Sequence, residues 1–156
     1  IKKLKKEIPN IKALIVGGVQ KDKENYFESL KRLTKELEME NEVIFTGSQS
    51  NVAEIYTLSD VVVSASKKPE SFGRSVAEAI AMNAPVVATN HGGVKDIIID
   101  GKNGYFFEVG DIEDLSSKIL KAKNLKFDGF AYISNNFSLK FIVKKTLDVY
   151  NQVVQK

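Results

Sequence analysis

The chain has 156 residues, 43% of them hydrophobic, which is enough for one globular domain with an apolar core. It contains no cysteine, which excludes a disulfide scaffold and a thiolate metal site and is compatible with a reducing cytoplasm; its formal net charge of +3 is too small to indicate nucleic-acid binding. No apolar run approaches the length of a membrane span, and the lysine-rich opening leads into no cleavable apolar segment, so we expect neither a membrane-spanning helix nor a signal peptide.

The first third of the chain predicts strands that alternate with helices. Residues 4–9 have the pattern of the end of an amphipathic helix, closed by a proline. Residues 13–16 predict a buried parallel strand that turns at Gly17 and Gly18. A periodic segment at 23–39 predicts a surface helix, and residues 43–46 predict the next strand.

The rest of the chain continues the alternation. We expect a helix capped by Ser50 or Asn51, strands at 61–64, 85–88 and 105–107, a helix at 111–122 capped by Asp111, and a last apolar-periodic helix capped by Ser138. Continuously apolar strands between helices are typical of an α/β fold, here a Rossmann-like parallel sheet with helices on both faces.

Residues 69–93 pack a loop, a helix, a turn and a strand into one stretch. Apolar residues recur at helical spacing from Arg74 onward, so a helix begins just after Gly73. The first amides of a helix lack intrahelical partners and carry partial positive charge, so this end is suited to bind phosphate. Gly73 allows a ligand to approach the backbone closely.

Two carboxylates flank this anion site, Glu70 in the loop and Glu78 inside the helix. A carboxylate can accept two hydroxyl donors at once, which suits the vicinal hydroxyls of a sugar ring. Taken singly, Glu70 is also explained as a solvated loop charge, and Glu78 as a complement to the helix dipole. Together with the loop and the strand, they favour a site for a nucleotide-sugar, which has hydroxyls on both sides of its diphosphate.

The stretch resembles the donor-site signature of the family-4 retaining glycosyltransferases, which have the GT-B fold. The resemblance is carried by four runs: Glu70-Ser71-Phe72-Gly73, Glu78-Ala79-Ile80-Ala81, Pro85-Val86-Val87-Ala88-Thr89 and Gly92-Gly93. It implies that Glu70 contacts the transferred sugar and is the catalytic residue, and that Glu78 holds the ribose. The loop residues Ser71 and Phe72 and the amides near Gly73, Arg74 and Ser75 are then donor-binding.

Other positions match the family less specifically. Gly17 and Gly18 resemble its glycine-rich loop at the donor site, although a plain turn explains them equally well. Gln49 falls in the loop that holds the base in the family, or in an ordinary strand-to-helix turn. His91 is the only histidine, with a supporting role in its loop or a role in proton transfer as the alternatives. The family usually has glycine where this chain has Asn83, which also tolerates the left-handed conformation. It usually has glutamate after the Gly-Gly pair, where this chain has Asp96.

The resemblance covers nearly the whole chain and implies that residues 1–156 are the donor-binding, C-terminal half of a GT-B enzyme. The acceptor-binding N-terminal domain is then absent, together with the strand-helix unit that carries the family's basic pair. The last helix of such enzymes crosses back to the missing domain, so we expect part of its apolar stripe to be under-buried.

The implied activity is transfer of a hexose from a UDP- or GDP-sugar to a hydroxyl of a saccharide or lipid-linked acceptor, in bacterial surface polysaccharide or glycolipid synthesis. We expect a cytoplasmic enzyme, with peripheral membrane contact through the missing domain, that requires no metal or other cofactor and is inactive as this isolated domain. The alternatives are a non-catalytic module that binds a nucleotide-sugar or a partner, and another GT-B enzyme such as a sugar-nucleotide epimerase.

Overall fold

Strands and helices alternate along the chain, as the apolar pattern predicts, and the strands form two parallel sheets. The computed structural model describes residues 1–154, which divide into two units, residues 1–52 and residues 53–154. Each unit contains one of the sheets. The α/β class and the parallel strand pairing are therefore confirmed.

The first unit consists of two strands and one long helix. Strand β1 (Ala13–Val16) pairs in parallel with β2 (Val43–Gly47), and helix α1 (Glu24–Glu36) connects them. Single 3-10 turns at Leu4–Lys6 and Lys21–Lys23 precede β1 and α1. The apolar stripe of α1 packs on β2, where the rings of Phe27 and Phe45 meet edge to face at 5.3 Å.

The prediction that β1 is buried is wrong. Leu14, Ile15 and Val16 keep 40–44% of their surface exposed. A continuously apolar strand is typical of sheets covered on both faces. Among the described residues, β1 has a partner strand on one edge only, so part of its apolar surface is left uncovered.

The second unit is built on a three-stranded sheet whose middle strand is fully buried. Strands β3 (Val62–Ser64), β4 (Val86–Thr89) and β5 (Gly104–Phe107) are parallel and lie in the order β3-β4-β5. The helices are α2 (Val52–Leu58), α3 (Arg74–Ala81), α4 (Val94–Ile97), α5 (Ile112–Ala122), α6 (Gly129–Phe137) and α7 (Leu139–Val154). The side chain of Asp111 accepts a hydrogen bond from the Asp114 amide at 2.8 Å, which confirms it as the N-cap of α5.

The core of the second unit fixes the orientation of α3. Val76 and Ile80 on one face of α3 are completely buried against β4 and α4. The opposite face carries Arg74 and Glu78, which are exposed. Burial of the apolar face therefore holds the polar face at the surface, where a ligand can reach it.

Helix α7 has no buried residue in its described part. The exposed fraction is 53% for Leu147, 61% for Tyr150 and 69% for Val153. The expectation of an under-buried apolar stripe is confirmed. Ser138 caps this helix as predicted, since its hydroxyl accepts from the Phe141 amide at 3.3 Å. None of the described helices combines the length and the apolar character needed to cross a lipid bilayer.

Candidate functional site

The N-terminus of α3 follows a residue in the left-handed region, as a sharp entry into the helix requires. Gly73 has φ 90°, and a Cβ atom there would lie 2.6 Å from Cγ1 of Val94. The amides of Val76 and Ala77 both donate to the Gly73 carbonyl, at 3.0 and 3.1 Å. The amides of Arg74 and Ser75 precede these bonds, so they have no intrahelical acceptor and are available to an anion.

Glu70 is half-buried and is held at both its side chain and its main chain. Its Oε1 atom accepts a hydrogen bond from the hydroxyl of Ser66, in the loop that follows β3. Its carbonyl accepts from the Gly93 amide at 2.8 Å. The solvated-loop interpretation of Glu70 requires a carboxylate that rotates freely in solvent, and these contacts exclude it.

Glu78 lies on the exposed face of α3, between two neighbours. Its Oε2 atom is 3.4 Å from the hydroxyl of Tyr56, which donates to it from α2. Its Oε1 atom is 3.5 Å from Nε of Arg74, one turn earlier. Burial raises the pKa of the Tyr56 hydroxyl, and the nearby Glu78 carboxylate raises it further, so Tyr56 keeps its proton and remains a donor at neutral pH.

The loop after β4 packs directly on the loop that carries Glu70. A Cβ atom on Gly92 would lie 2.6 Å from the Glu70 carbonyl oxygen, and one on Gly93 would lie 2.7 Å from Cα of Phe72. Between Thr89 and these glycines, both ring nitrogens of His91 are buried and have no hydrogen-bond partner among the described residues. His91 therefore lies beside the Glu70 loop, and neither of its predicted roles is decided by these contacts.

Phe72 and Ser71 contribute to the site in different ways. The ring of Phe72 packs edge-on against Phe137 of α6, with ring centres 6.0 Å apart, so this side chain ties the loop to the core. Ser71 is exposed, and its carbonyl lies against Gly93. Donor binding by these two residues stays a prediction.

The remaining predicted residues lie together in the first unit. The amide of Gly17 donates to the Gly47 carbonyl at 3.0 Å, and Gly18 lies against the side chain of Ser48. The side-chain amide of Gln49 donates to the Thr46 carbonyl at 2.8 Å. All three positions therefore follow the carboxyl ends of β1 and β2, the edge at which parallel sheets bind ligands.

The two departures from the family pattern are accommodated. Asn83 adopts φ 62° at the end of α3, so its predicted left-handed conformation is confirmed. Asp96 is an exposed residue within α4.

Sequence reasoning missed two residues that touch the carboxylates, Ser66 and Tyr56. Ser66 could have been noticed as a polar residue directly after an apolar strand that ends at the ligand-binding edge. Tyr56 gave no such signal, because it is 22 residues from Glu78 and has the spacing of an ordinary helix position.

The groove beside α1 in the first unit contains no predicted site residue. An open groove of about 520 Å³ lies between α1 and β2, and it is lined by Glu28, Lys31, Arg32, Thr34, Lys35, Glu40, Val43 and Phe45. Within residues 1–154, no group of three or more histidine, aspartate or glutamate side chains is arranged to hold a metal ion.

The sequence matches the family described as Glycosyl transferases group 1 over residues 1–136. It is 39% identical to the N-acetyl-alpha-D-glucosaminyl L-malate synthase of Bacillus anthracis over 102 residues, which are 64% of this chain and 26% of the relative. A glycosyltransferase from Rickettsia africae ESF-5 has a similar structure, with a TM-score of 0.84, 30% identity, and coverage of 99% of this chain and 43% of the other.

A third similar structure contains UDP-glucose. The structure of Anabaena Alr3699/HepE in complex with UDP-glucose has a TM-score of 0.82 and 26% identity, over 92% of this chain and 42% of the other. The chain spans only 24–39% of the length of the first curated relatives that it matches.

Proposed function

The chain belongs to the group 1 glycosyl transferases, and from this premise we propose that it is the donor-binding part of an enzyme that transfers a hexose from a nucleotide-sugar to a hydroxyl group. Relatives extend well beyond this chain, so we assign the acceptor, and any membrane contact, to a second domain. Related proteins act on saccharides, and one binds UDP-glucose, which favours a UDP-sugar as the donor and surface polysaccharide or glycolipid as the product class.

The observation that carries the proposal is the placing of two restrained carboxylates around the start of α3. Glu70 lies ahead of the free amides of Arg74 and Ser75, and Glu78 lies on the exposed face behind them. A diphosphate at these amides would have its sugar on the side of Glu70 and its ribose on the side of Glu78. This order is the one that a nucleotide-sugar has along its length.

The amides at the start of α3 would do most for the reaction. As the bond between the sugar and the diphosphate breaks, negative charge grows on the departing phosphate. Oriented amides stabilise this charge more in the transition state than in the ground state, which lowers the barrier. They need no reorientation during the reaction because Gly73 and the core face of α3 already fix them.

The two glutamates would supply orientation. Glu70 keeps one carboxylate oxygen for hydroxyls of the sugar, because Ser66 occupies the other. Glu78 would accept from the ribose hydroxyls, with Tyr56 limiting its side-chain motion. For Gly17, Gly18 and Gln49 in the first unit, donor binding stays a prediction, with the base as the expected partner of the main chain near Gln49.

The proposal is tested with the whole protein and a panel of UDP-, GDP- and ADP-sugars. We expect a glycosidic product that depends on the donor, and for Glu70→Ala a loss of transfer of roughly 100-fold or more, because the sugar loses its orienting partner. Glu28→Gln is the matched control, since Glu28 is an exposed glutamate paired with Lys31 on α1.

Three outcomes would contradict the proposal. Full transfer by Glu70→Ala would favour the module that only binds a nucleotide-sugar or a partner. Conversion of the donor without a glycosidic product would favour an epimerase. We also propose that no metal is required, because the glutamates would be engaged with sugar hydroxyls, so loss of donor binding in EDTA would count against that part.

A further inference from the structure

We propose that Ser66 is a positioning residue that orients the carboxylate of Glu70 toward the sugar of the donor. This inference rests on the proposed function, because it assigns a role within the same site. Ser66 belongs to none of the runs that identify the family. Its role is inferred from three contacts of the second unit.

The first contact is between the two side chains. The Ser66 hydroxyl donates to Oε1 of Glu70, and it is the one side-chain hydrogen bond found for that carboxylate within residues 1–154. A glutamate side chain has three rotatable bonds, and ordering them costs conformational entropy. The bond from Ser66 orders the side chain in advance, so less of this cost falls on donor binding. Because Ser66 occupies one oxygen, the other oxygen has a restricted set of directions in which to accept from a ligand.

The second contact fixes Ser66 itself. Its carbonyl accepts a hydrogen bond from the hydroxyl of Thr89 at 3.0 Å. Thr89 is the last residue of β4 and is only 3% exposed. The parallel pairing of Ser64 with Ala88 brings the ends of β3 and β4 together, so Ser66 is tied to the fully buried middle strand of the sheet.

The third contact fixes the main chain of Glu70 from the other side. The Gly93 amide donates to the Glu70 carbonyl, and Gly92 packs against the same residue without room for a side chain. The backbone of Glu70 is thus set by the loop after β4, and the direction of its carboxylate is set by Ser66. Removal of the Ser66 hydroxyl frees the carboxylate while the loop stays in place.

The role of Ser66 is also compatible with the charge of Glu70. A serine hydroxyl carries no net charge, so it orients the carboxylate without neutralising it. A lysine or arginine in the same place would neutralise the carboxylate. Glu70 therefore keeps its negative charge, and its other oxygen stays available to accept hydroxyl donors from a sugar. Since the diphosphate and the ribose are assigned to α3, Ser66 should affect the sugar and leave the nucleotide untouched.

The test compares UDP with the active UDP-sugar in the whole protein, using Ser66→Ala. We expect the turnover number to fall roughly 10- to 100-fold, which is the scale of a small misplacement of a catalytic group. By calorimetry, the affinity for UDP should remain within about twofold, and the additional affinity that the sugar gives should decrease. Ser66→Thr keeps the hydroxyl and should recover most of the turnover.

Two further variants separate positioning from a general structural effect. Ser116→Ala is the matched control, because Ser116 is a buried serine whose hydroxyl donates to the Ile112 carbonyl of its own helix at 2.7 Å. In the Glu70→Ala background, Ser66→Ala should cause no further loss of sugar-dependent affinity, because it acts only through Glu70.

The inference is overturned if Ser66→Ala turns over like the unmodified enzyme. It is equally overturned if UDP affinity and melting temperature fall together with turnover, or if the losses from Ser66→Ala and Glu70→Ala add. Failure of the proposed function gives a different result, since Glu70→Ala would then retain both transfer and the sugar-dependent affinity.

Discussion

Asn83 shows how one residue can replace a glycine and add a contact. At φ 62° it follows the last turn of α3, where the Asn83 and Ala84 amides donate to the carbonyls of Ile80 and Ala79, the two bonds of a Schellman motif. Its side-chain oxygen also accepts from the Gly129 amide at 2.8 Å, 46 residues away. The asparagine therefore ends α3, as glycine would. It also holds the start of α6, which glycine cannot do because it has no side chain.

This double role predicts an order of stabilities at position 83. Asn83→Gly loses the hydrogen bond to the buried Gly129 amide and should lower the free energy of unfolding by about 1 kcal/mol. Asn83→Ala also introduces a left-handed alanine, so the loss should reach about 2–3 kcal/mol. Urea unfolding of the chain measures both values. An Asn83→Gly variant as stable as the unmodified chain would show that the contact with Gly129 contributes nothing.

At the level of single residues, the sequence predicts the positions of groups that belong to a motif or follow the period of a helix. Glu70, Gly73 and Glu78 could be assigned because a loop and a helix start fix their spacing. The position of Ser66 after β3 was a usable signal, but its bond to Glu70 and the bond from Tyr56 to Glu78 could not be predicted, because these contacts depend on the course of a loop and on the packing of α2 near α3. Hydrogen bonds of this kind leave no period in the sequence.

Among the secondary-structure elements, strands were predictable and the later helices less so. Residues 86–88 of β4 are continuously apolar because both faces of this strand are covered, and that pattern is readable. Helix α4 is a single turn of four residues, and α6 contains glycine, serine and two asparagines, which are poor helix formers. Packing stabilises α6: its Tyr132 hydroxyl donates to the Ile97 carbonyl at 3.0 Å.

An ion pair anchors the start of the first unit to the loop ahead of β2. Nζ of Lys5 lies 2.7 Å from Oε1 of Glu42, a residue that is only 8% exposed. The hydrogen bond from Lys5 holds the pKa of the Glu42 carboxyl below its usual value of 4.5. Because the folded-state pKa is the lower one, the carboxylate stabilises the fold above about pH 4.5, and this contribution is lost as the pH falls through the folded pKa.

We therefore expect Lys5→Met to change the acid stability of the chain. Urea midpoints measured from pH 7 to pH 3 should fall less steeply below pH 4.5 in this variant than in the unmodified chain, since Glu42 no longer has its cationic partner. Lys31→Met, which removes an exposed pair with Glu28, is the control and should leave the acid slope unchanged. Parallel slopes for Lys5→Met and the unmodified chain would rule out this linkage.

At the level of the whole molecule, the two units present predicted donor-binding residues at the carboxyl ends of their parallel strands. The fold class could be predicted because alternation of apolar strands and helices reports it directly. The exposure of β1 could not be predicted from its own sequence, since an apolar strand has the same pattern whether its neighbour is present or absent. For α7, the resemblance to two-domain enzymes supplied the expectation.

The exposed stripe of α7 should make the isolated chain bind apolar probes. Replacing Leu147 and Tyr150 together by glutamine should reduce the fluorescence of bound anilinonaphthalene sulfonate, while the free energy of unfolding changes by no more than about 0.5 kcal/mol per site. In the whole protein the same pair should lower stability, if a second domain covers this stripe. Equal tolerance in both forms would mean that nothing packs there.

The close contact between the two loops beside α3 limits which positions of this chain can be varied. Neither Gly92 nor Gly93 can gain even a methyl group without displacing the backbone at positions 70–72. A library intended to change sugar preference should therefore keep both glycines and diversify the exposed Ser71 and Asn90 instead. Such a library would vary exposed side chains around the proposed site and leave the contact between the two loops intact.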